Sequence, residues 1–189
     1  MYIHKTLNGN TICAIGINST DEISELAILP LNTALLPMWD KMLEINPLLK
    51  NEENKPKTKR IIIRSSIDSW YEKLDLWFDT YIAKGQIIPL VYDWPNNREL
   101  MDRLLGGRDA TNYYFLDKAK DIKTVAQYLT DLAEWSGVKE LPFPKTTLRY
   151  VCNNCDCPLP LDPTALEKAK AITNSYRRML NINPLGLTL

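Results

Sequence analysis

The sequence predicts an α/β fold in which a mixed sheet is flanked by helices. From residue 60 onward, short runs of β-favouring residues alternate four times with amphipathic stretches of helical length, which predicts four β-α units. The segment before them is rich in β-formers on either side of an Asn-Gly-Asn turn, which predicts an N-terminal β-hairpin. Because that hairpin could extend the sheet in the antiparallel sense, an α+β arrangement is the alternative.

The predicted hairpin pairs residues 2–7 with residues 11–17. Both runs are rich in β-formers, and the turn residues between them tolerate positive φ. A helix is then expected from residue 32 or 33 to about residue 45, because the segment begins with helix-capping residues and carries apolar side chains at helical spacing. The Asn46-Pro47 pair would end this helix.

The four β-α units occupy residues 60–179. Each predicted helix has a capping residue at its start and an apolar stripe at three- and four-residue spacing, and glycines are placed to end three of the helices. Pro89 favours an edge or a bulge for the second strand. The strands are predicted at residues 60–64, 86–92, 111–116 and 146–151, and the helices at residues 65–85, 97–105, 121–137 and 162–179.

The chain is expected to form a single globular domain over residues 1–189. This length lies near the usual size of one domain, and 45% hydrophobic with 24% charged residues is ordinary globular composition. Residues 50–59 are polar and charged and cannot bury enough apolar area to order themselves, which predicts a flexible loop. Residues 181–189 contain a proline and a glycine and are predicted to form an extended tail.

The charge balance excludes a global electrostatic attraction to nucleic acid or to an anionic membrane. Lys plus Arg and Asp plus Glu number 23 each, so any such contact must come from a local patch. The N-terminus lacks the basic-then-apolar layout of a secretory signal, and no apolar run approaches the roughly 18 residues needed to span a bilayer. The sequence therefore predicts a soluble, cytoplasmic protein with no membrane partner.

Three of the four cysteines, Cys152, Cys155 and Cys157, fall within six residues. Their spacing lets thiolates of one turn face a single ion, so zinc is the one cofactor that the sequence suggests. The fourth ligand would have to be Cys13, His4, Asp156 or a residue of a partner chain. A redox or disulfide role and unligated structural cysteines are the alternatives. Thioredoxin-type activation is excluded, because prolines separate the cluster from the next helix.

Basic residues are concentrated on the polar loop and the strand that follows it. The group comprises Lys55, Lys57, Lys59, Arg60 and Arg64. These cations could contact RNA phosphates while neighbouring aromatic side chains stack on unpaired bases. The alternative is a solvated loop whose charges maintain solubility.

A polar pocket at the carboxyl ends of the predicted strands is the basis of an enzyme hypothesis, since ligands of open α/β sheets bind there. Ser65, Asp93 and Asp117 are better explained as cap, turn and loop residues, and no Gly-rich phosphate loop follows a predicted strand. The sequence assigns no catalytic or cofactor-binding residue and favours a protein that is not an enzyme. The strand-end positions are Ser65, Ser66, Asp93, Asp117, Asn153 and Asn154.

The aromatic content favours binding to other proteins. Five Trp and nine Tyr exceed what a compact core needs, and the adjacent pair Tyr113-Tyr114 cannot face inward together from one strand. The predicted interface therefore comprises Tyr113 and Tyr114 together with the apolar tail residues Leu185, Leu187 and Leu189.

These observations favour a non-catalytic structural or accessory subunit of a larger multiprotein or ribonucleoprotein assembly. A CRISPR-type effector complex and a viral particle are examples of such settings. The expected partners are other protein subunits and, through backbone contacts, RNA. The alternatives are a zinc-bearing binding module centred on the cluster from Cys152 to Cys157 and a small α/β enzyme with a pocket at the strand ends.

Overall fold

The structure is a computed structural model that describes residues 10–19, 23–45, 61–63, 70–81 and 87–182. Its strands are β1 (Thr11–Ser19), β2 (Ile23–Pro30), β3 (Leu43–Ile45), β4 (Ile61–Ile63), β5 (Ile87–Val91) and β6 (Lys120–Asp121). Its helices are α1 (Trp70–Tyr81), α2 (Trp94–Leu105), α3 (Arg108–Tyr114), α4 (Ile122–Trp135), α5 (Leu148–Asn154) and α6 (Ala165–Met179). The strands form one mixed sheet, which confirms the predicted α/β class.

The sheet has the strand order β4-β3-β2-β1-β5-β6. β1 is antiparallel to β2, with Cys13 opposite Pro30 and Asn18 opposite Glu25, and it is parallel to β5 on its other side. β3 is antiparallel to β2, while β4 and β6 are parallel to β3 and β5. The carboxyl ends of β1 and β5 therefore point to the same side of the sheet, where β1 continues past the end of β5.

An N-terminal hairpin is present, as predicted, but its strands differ from those expected. The hairpin joins β1 to β2, whereas the prediction paired residues 2–7 with residues 11–17. Residues 2–7 lie outside the described part of the chain. β2 is buried along nearly all its length, so this segment offers β1 a partner that is apolar on both faces.

Helices cover both faces of the sheet, which is the layered arrangement expected of an α/β fold. One core lies between the sheet and α1, α2 and α3, and it includes Trp77, Phe78 and Tyr114. The other lies between the sheet and α4, α5 and α6, and it includes Leu129 and Ile172. β1 contributes side chains to both cores, because successive side chains of a strand point to opposite faces of the sheet.

α6 crosses β1 at a position that only glycine permits. A Cβ placed on Gly16 would lie 1.8 Å from the carbonyl oxygen of Ala165 and 2.8 Å from the backbone nitrogen of Ala169. Ala14, Ala165 and Ala169 are also small and fully or almost fully buried in this core. The backbone of α6 therefore lies directly against β1, which brings the first turn of the helix to the end of the strand.

Two of the four predicted strands are helices in the structure. Residues 111–116 fall mainly in α3, where Thr111 and Tyr114 are both buried. Side chains three apart share a face of a helix but point to opposite faces of a strand, so burial of this pair overrides the local β propensity. Phe115 keeps one bridge to Ile87. Residues 146–151 lead into α5 instead, with Val151 and Cys152 buried.

The helix predicted for residues 32–45 is replaced by a turn, a 3-10 helix at Trp39–Lys41 and β3. The Asn32 side chain accepts hydrogen bonds from the backbone N–H groups of Ala34 and Leu36, both at 2.9 Å. Leu35 between them has φ 58°, in the left-handed region. An asparagine that bonds to nearby backbone in this way competes with helix formation, which explains the difference.

The other predicted helices correspond to α1, α2, α4 and α6, and of these α2 and α6 start at other residues than predicted. α4 follows its predicted cap, since the Asp121 carboxylate accepts from the backbone N–H of Lys123 at 2.9 Å. α2 begins three residues earlier than predicted, and α6 begins after a capping box formed by Thr164 and Glu167. None of the described helices is both long and apolar enough to cross a bilayer. The loop predicted at residues 50–59, the cap at Ser65 and most of the tail lie outside the described residues.

Candidate functional site

A cleft of about 360 Å³ lies at the carboxyl ends of β1 and β5. Its walls include the apolar side chains of Leu100, Leu148 and Ile172, which come from α2, α5 and α6. The two parallel strands leave this edge in different directions, since β1 turns back into a hairpin and β5 continues into α2. In open α/β sheets, ligands bind where neighbouring parallel strands diverge in this way. The cleft is therefore the candidate ligand site of the fold.

Asp93 is the strand-end residue of the sequence analysis that the structure places in this cleft. It has φ 61°, a strained conformation for a side chain other than glycine. Its backbone N–H and that of Trp94 donate to the two carboxylate oxygens of Asp121, each at 2.9 Å. These two bonds hold the end of β5 against the start of α4.

The Asp93 carboxylate bonds to two neighbouring side chains, one of which is the cation Lys123. Its Oδ2 accepts from Asn96 Nδ2 at 2.8 Å and from Lys123 Nζ at 3.1 Å. The hydrogen bond and the charge of Asp93 raise the pKa of Lys123. This carboxylate is thus engaged in bonds that organise the start of α2.

Lys168 supplies the cation of the cleft, and the sequence analysis missed it. Its Nζ donates to the carbonyl oxygen of Ile17 at 3.0 Å. Burial lowers the pKa of Lys168, and the nearby Glu25 carboxylate opposes that shift. The sequence carried a signal for this role. Lys168 stands three residues after Ala165 and four before Ile172, which places a lysine in the buried stripe of α6, where the helical period predicts an apolar side chain.

The other strand-end residues do not line this cleft. Asp117 is exposed and pairs with Arg98 of α2. Asn153 and Asn154 lie at the end of α5 rather than after a strand, and both are exposed. The prediction for these three residues was wrong because it depended on strands that the structure shows as helices. Ser65 and Ser66 lie outside the described residues.

The cysteine cluster lies on and after α5. Cys152 and Cys155 are buried, and the half-buried Cys157 donates from Sγ to the carbonyl oxygen of Cys155 at 3.1 Å. Burial raises the pKa of all three thiols, in the case of Cys155 to about 11. Cys13 cannot complete a site with them, because it lies in the core on the opposite face of the sheet from Cys155.

The described residues contain no group of three or more His, Cys, Asp and Glu side chains arranged to hold a metal ion. His4, another suggested ligand, lies outside the described part of the chain, and Asp156 is exposed beside the cluster. All four cysteines are free thiols. Zinc binding by Cys152, Cys155 and Cys157 stays a prediction, which metal analysis of the purified protein would test.

The two tyrosines of the predicted interface have different environments. Tyr113 is 58% exposed, whereas Tyr114 is 1% exposed and its ring stacks on Phe78 with 4.5 Å between centroids. The Tyr114 hydroxyl donates to Asp75 Oδ1 at 2.8 Å. Tyr114 therefore belongs to the core, which corrects the prediction that it meets a partner. Leu185, Leu187, Leu189 and the basic group from Lys55 to Arg64 lie outside the described residues.

α4 carries two apolar faces, of which one is buried and one faces solvent. Ile122, Ala126 and Ala133 pack into the core with Leu129. Tyr128 is 62% exposed and Trp135 is 84% exposed, and Leu132 lies between them on the same side of the helix. We call Tyr128, Leu132 and Trp135 the outer stripe. The apolar stripe predicted for this helix is therefore only partly buried.

A scan against protein-family models found no match, and a search of curated proteins found no similar sequence. The features that bear on function are therefore those of the structure itself, which is an α/β sandwich with a cleft at the ends of β1 and β5 and the outer stripe on α4.

Proposed function

We propose that this protein is a non-catalytic subunit that binds another protein through the outer stripe of α4. The exposure of Trp135, at 84%, carries the proposal, together with that of Tyr128 about two helical turns away. Water contact with rings of this size is costly, and contiguous exposed apolar groups mark binding surfaces. Trp and Tyr are also the residues that most often dominate the binding energy of an interface.

The polar neighbours of the outer stripe favour a protein partner over RNA. Asp131 and Glu134 are exposed on the adjacent side of α4, and Gln127 donates to Asp131 at 2.7 Å. Two carboxylates beside the aromatic rings would repel phosphates. The complementary surface is therefore an apolar one with basic residues at its rim, such as the face of an amphipathic helix. In a ribonucleoprotein assembly, this stripe would contact the protein component.

The bonding within the strand-end cleft supports a binding role rather than catalysis. The Asp93 carboxylate accepts from Asn96 and Lys123, and Lys168 donates to a backbone carbonyl. A general base needs an oxygen or nitrogen that is free to take a proton from a substrate, and Oδ2 of Asp93, the acidic residue of the cleft lining, is already bonded to Asn96 and Lys123.

The proposal is tested by a pair of matched surface variants. The full chain carrying an affinity tag is expressed in its native cells as wild type, as Tyr128→Gln with Trp135→Gln, and as Tyr113→Gln. The last is the control, since Tyr113 is similarly exposed but lies beside the other core. We expect one protein to co-purify with wild type and with the control, and to bind the double variant at least about tenfold more weakly.

A purified complex gives the second readout. Amide exchange over α4 is expected to slow when the partner binds, and nuclease treatment is expected to leave the complex intact. Equal affinity of the partner for wild type and for the double variant would overturn the proposal. Loss of the complex on nuclease treatment would instead assign the interaction to nucleic acid.

A further inference from the structure

We propose that the cleft at the ends of β1 and β5 binds a small molecule with an anionic phosphate or carboxylate group on an apolar body, and that Lys168 is the cation that holds the anion. The site is separate from the outer stripe of α4, so this inference does not depend on the proposed function. Its volume of about 360 Å³ suits a compact ligand of this kind.

Lys168 is placed for ligand binding rather than for folding. It is half-buried on α6, and the carbonyl of Ile17 takes one of the three N–H donors of its ammonium group. The other donors are available to an anion at the cleft. Holding a charge at a position of the buried stripe costs free energy unless it is well paired, and costly polar groups of this kind mark functional sites.

The other charges near the cleft do not oppose an anion. Asp93 also lines it, but its carboxylate is bonded to Lys123 Nζ at 3.1 Å, so the pair is close to neutral. Glu25 accepts from Asn18 Nδ2 and from the backbone N–H of Ala165, at the positive end of α6. A divalent cation is disfavoured, because the Lys168 ammonium would repel it.

The remaining lining defines the rest of the ligand. Leu100, Leu148 and Ile172 supply an apolar wall for a ring or a short hydrocarbon. Asn96 and Asn97 use their amide N–H groups on Asp93 and on the carbonyl of Tyr92, which leaves their side-chain oxygens as acceptors at the rim. A hydroxyl on the ligand would match these oxygens.

The test uses phenyl phosphate and benzoate as probes, with phenol and inorganic phosphate as partial ligands. Binding to the full chain is followed by amide chemical shifts in NMR titrations. We expect shifts at residues 17, 93 and 168, and weaker binding of phenol and of inorganic phosphate than of phenyl phosphate. Inorganic phosphate binding as tightly as phenyl phosphate would overturn the assignment of the apolar wall.

The variant Lys168→Met is expected to weaken phenyl phosphate binding about tenfold or more, and Lys168→Arg is expected to retain it. The control is Lys170→Met on the same helix, whose ammonium lies 5.2 Å from the ring centroid of Trp39, and it should change affinity less than about twofold. Lys168→Met should melt at or above the wild-type temperature, so lost binding would not report unfolding. Equal affinities of Lys168→Met and wild type, or an absence of shifts with every probe, would overturn the proposal.

Discussion

The Oε2 atom of Glu25 on β2 accepts a hydrogen bond from the backbone N–H of Ala165, the first residue of α6, at 2.8 Å. The same oxygen accepts from Asn18 Nδ2 on β1 at 2.9 Å. One carboxylate thus joins two strands to the start of a helix that lies 140 residues away in the chain. Because the first N–H groups of a helix have no partner within it, this contact fixes where α6 begins on the sheet.

Glu25→Ala should destabilise the protein by about 1–3 kcal/mol, since it leaves the N–H of Ala165 and one N–H of the Asn18 amide without an acceptor in a nearly buried site, while the Asn18 amide keeps its bond to the carbonyl of Pro163. Glu25→Gln should recover part of this loss, because its amide oxygen can accept one bond. The free energy of unfolding is measured by urea titration. The control is Glu99→Ala on exposed α2 surface, which should stay within about 0.5 kcal/mol of wild type. Equal losses for Glu25→Ala and Glu99→Ala would contradict the role of this contact.

Gly16→Ala should lower the free energy of unfolding more than a conservative change at an exposed position of the sheet. The added Cβ would lie 1.8 Å from the carbonyl oxygen of Ala165, so α6 would have to move away from β1. We expect a loss of at least about 2 kcal/mol, because a rigid backbone atom cannot give way as a side chain can. Urea titration measures the loss, with Ser24→Ala, at the one exposed position of β2, as the control. A variant as stable as the control would mean that the helix does not pack this closely.

The parts of the fold that sequence reasoning predicted correctly are those with a local cause. Asp121 caps α4 through Lys123, two residues away, and the signal for this cap lies within one turn of chain. Residues 111–116 carry a local signal too, which is their high β propensity, and it was misleading. Tyr114 lies in α3 because its ring stacks on Phe78 of α1. That contact joins distant parts of the chain, so no local pattern reports it.

The candidate site was only partly predictable for the same reason. Asp93 follows a predicted strand that exists, and its place in the cleft follows from its position directly after that strand. Lys168 reaches the cleft only because α6 crosses β1, and this crossing depends on Gly16. The solvent exposure of Trp135 was not predictable either, since the helical period shows that residues share a face without showing what covers that face.

Truncation of the two adjacent tyrosines of α3 should destabilise the protein to very different extents. Tyr114→Ala is expected to cost about 3 kcal/mol or more, because it empties a site in the core, and Tyr114→Phe about 1 kcal/mol through the lost bond to Asp75. Tyr113→Ala should cost less than about 1 kcal/mol, since its ring is largely exposed. Thermal or urea unfolding measures all three. Similar losses at Tyr113 and Tyr114 would show that both rings are buried.

The four thiols should react with a disulfide reagent such as DTNB in an order set by burial. Cys157 is half-buried and should react first, whereas Cys152, Cys155 and Cys13 are buried and should react only as the structure opens. The rate is followed by absorbance, with Cys157→Ser removing the fast phase. The full thiol count on denaturation is the control for prior oxidation. A fast phase that survives in Cys157→Ser would show that a second thiol of the cluster is accessible.

Stability should fall as the pH rises above about 9, because burial raises the pKa of the thiols and of Tyr92 and Tyr176 in the folded protein. The unfolded chain releases these protons near their ordinary pKa values, which for a thiol is 9.0, and the folded protein releases them only at higher pH. Rising pH therefore stabilises the unfolded state relative to the folded state. Lys168 acts in the opposite sense, since its pKa is lowered on folding and the unfolded chain then holds more protons.

One lysine acts here against several thiols, so we expect the net free energy of unfolding to decrease with pH. Urea titrations at pH 7.5 to 10.5 under reducing conditions measure it. Cys13→Ala removes the most deeply buried thiol and should flatten the decrease with pH, whatever it does to stability at pH 7.5. Lys168→Met should steepen the decrease, because it removes the opposing group. A pH dependence that neither variant alters would show that the buried thiols and Lys168 titrate alike in the folded and unfolded states.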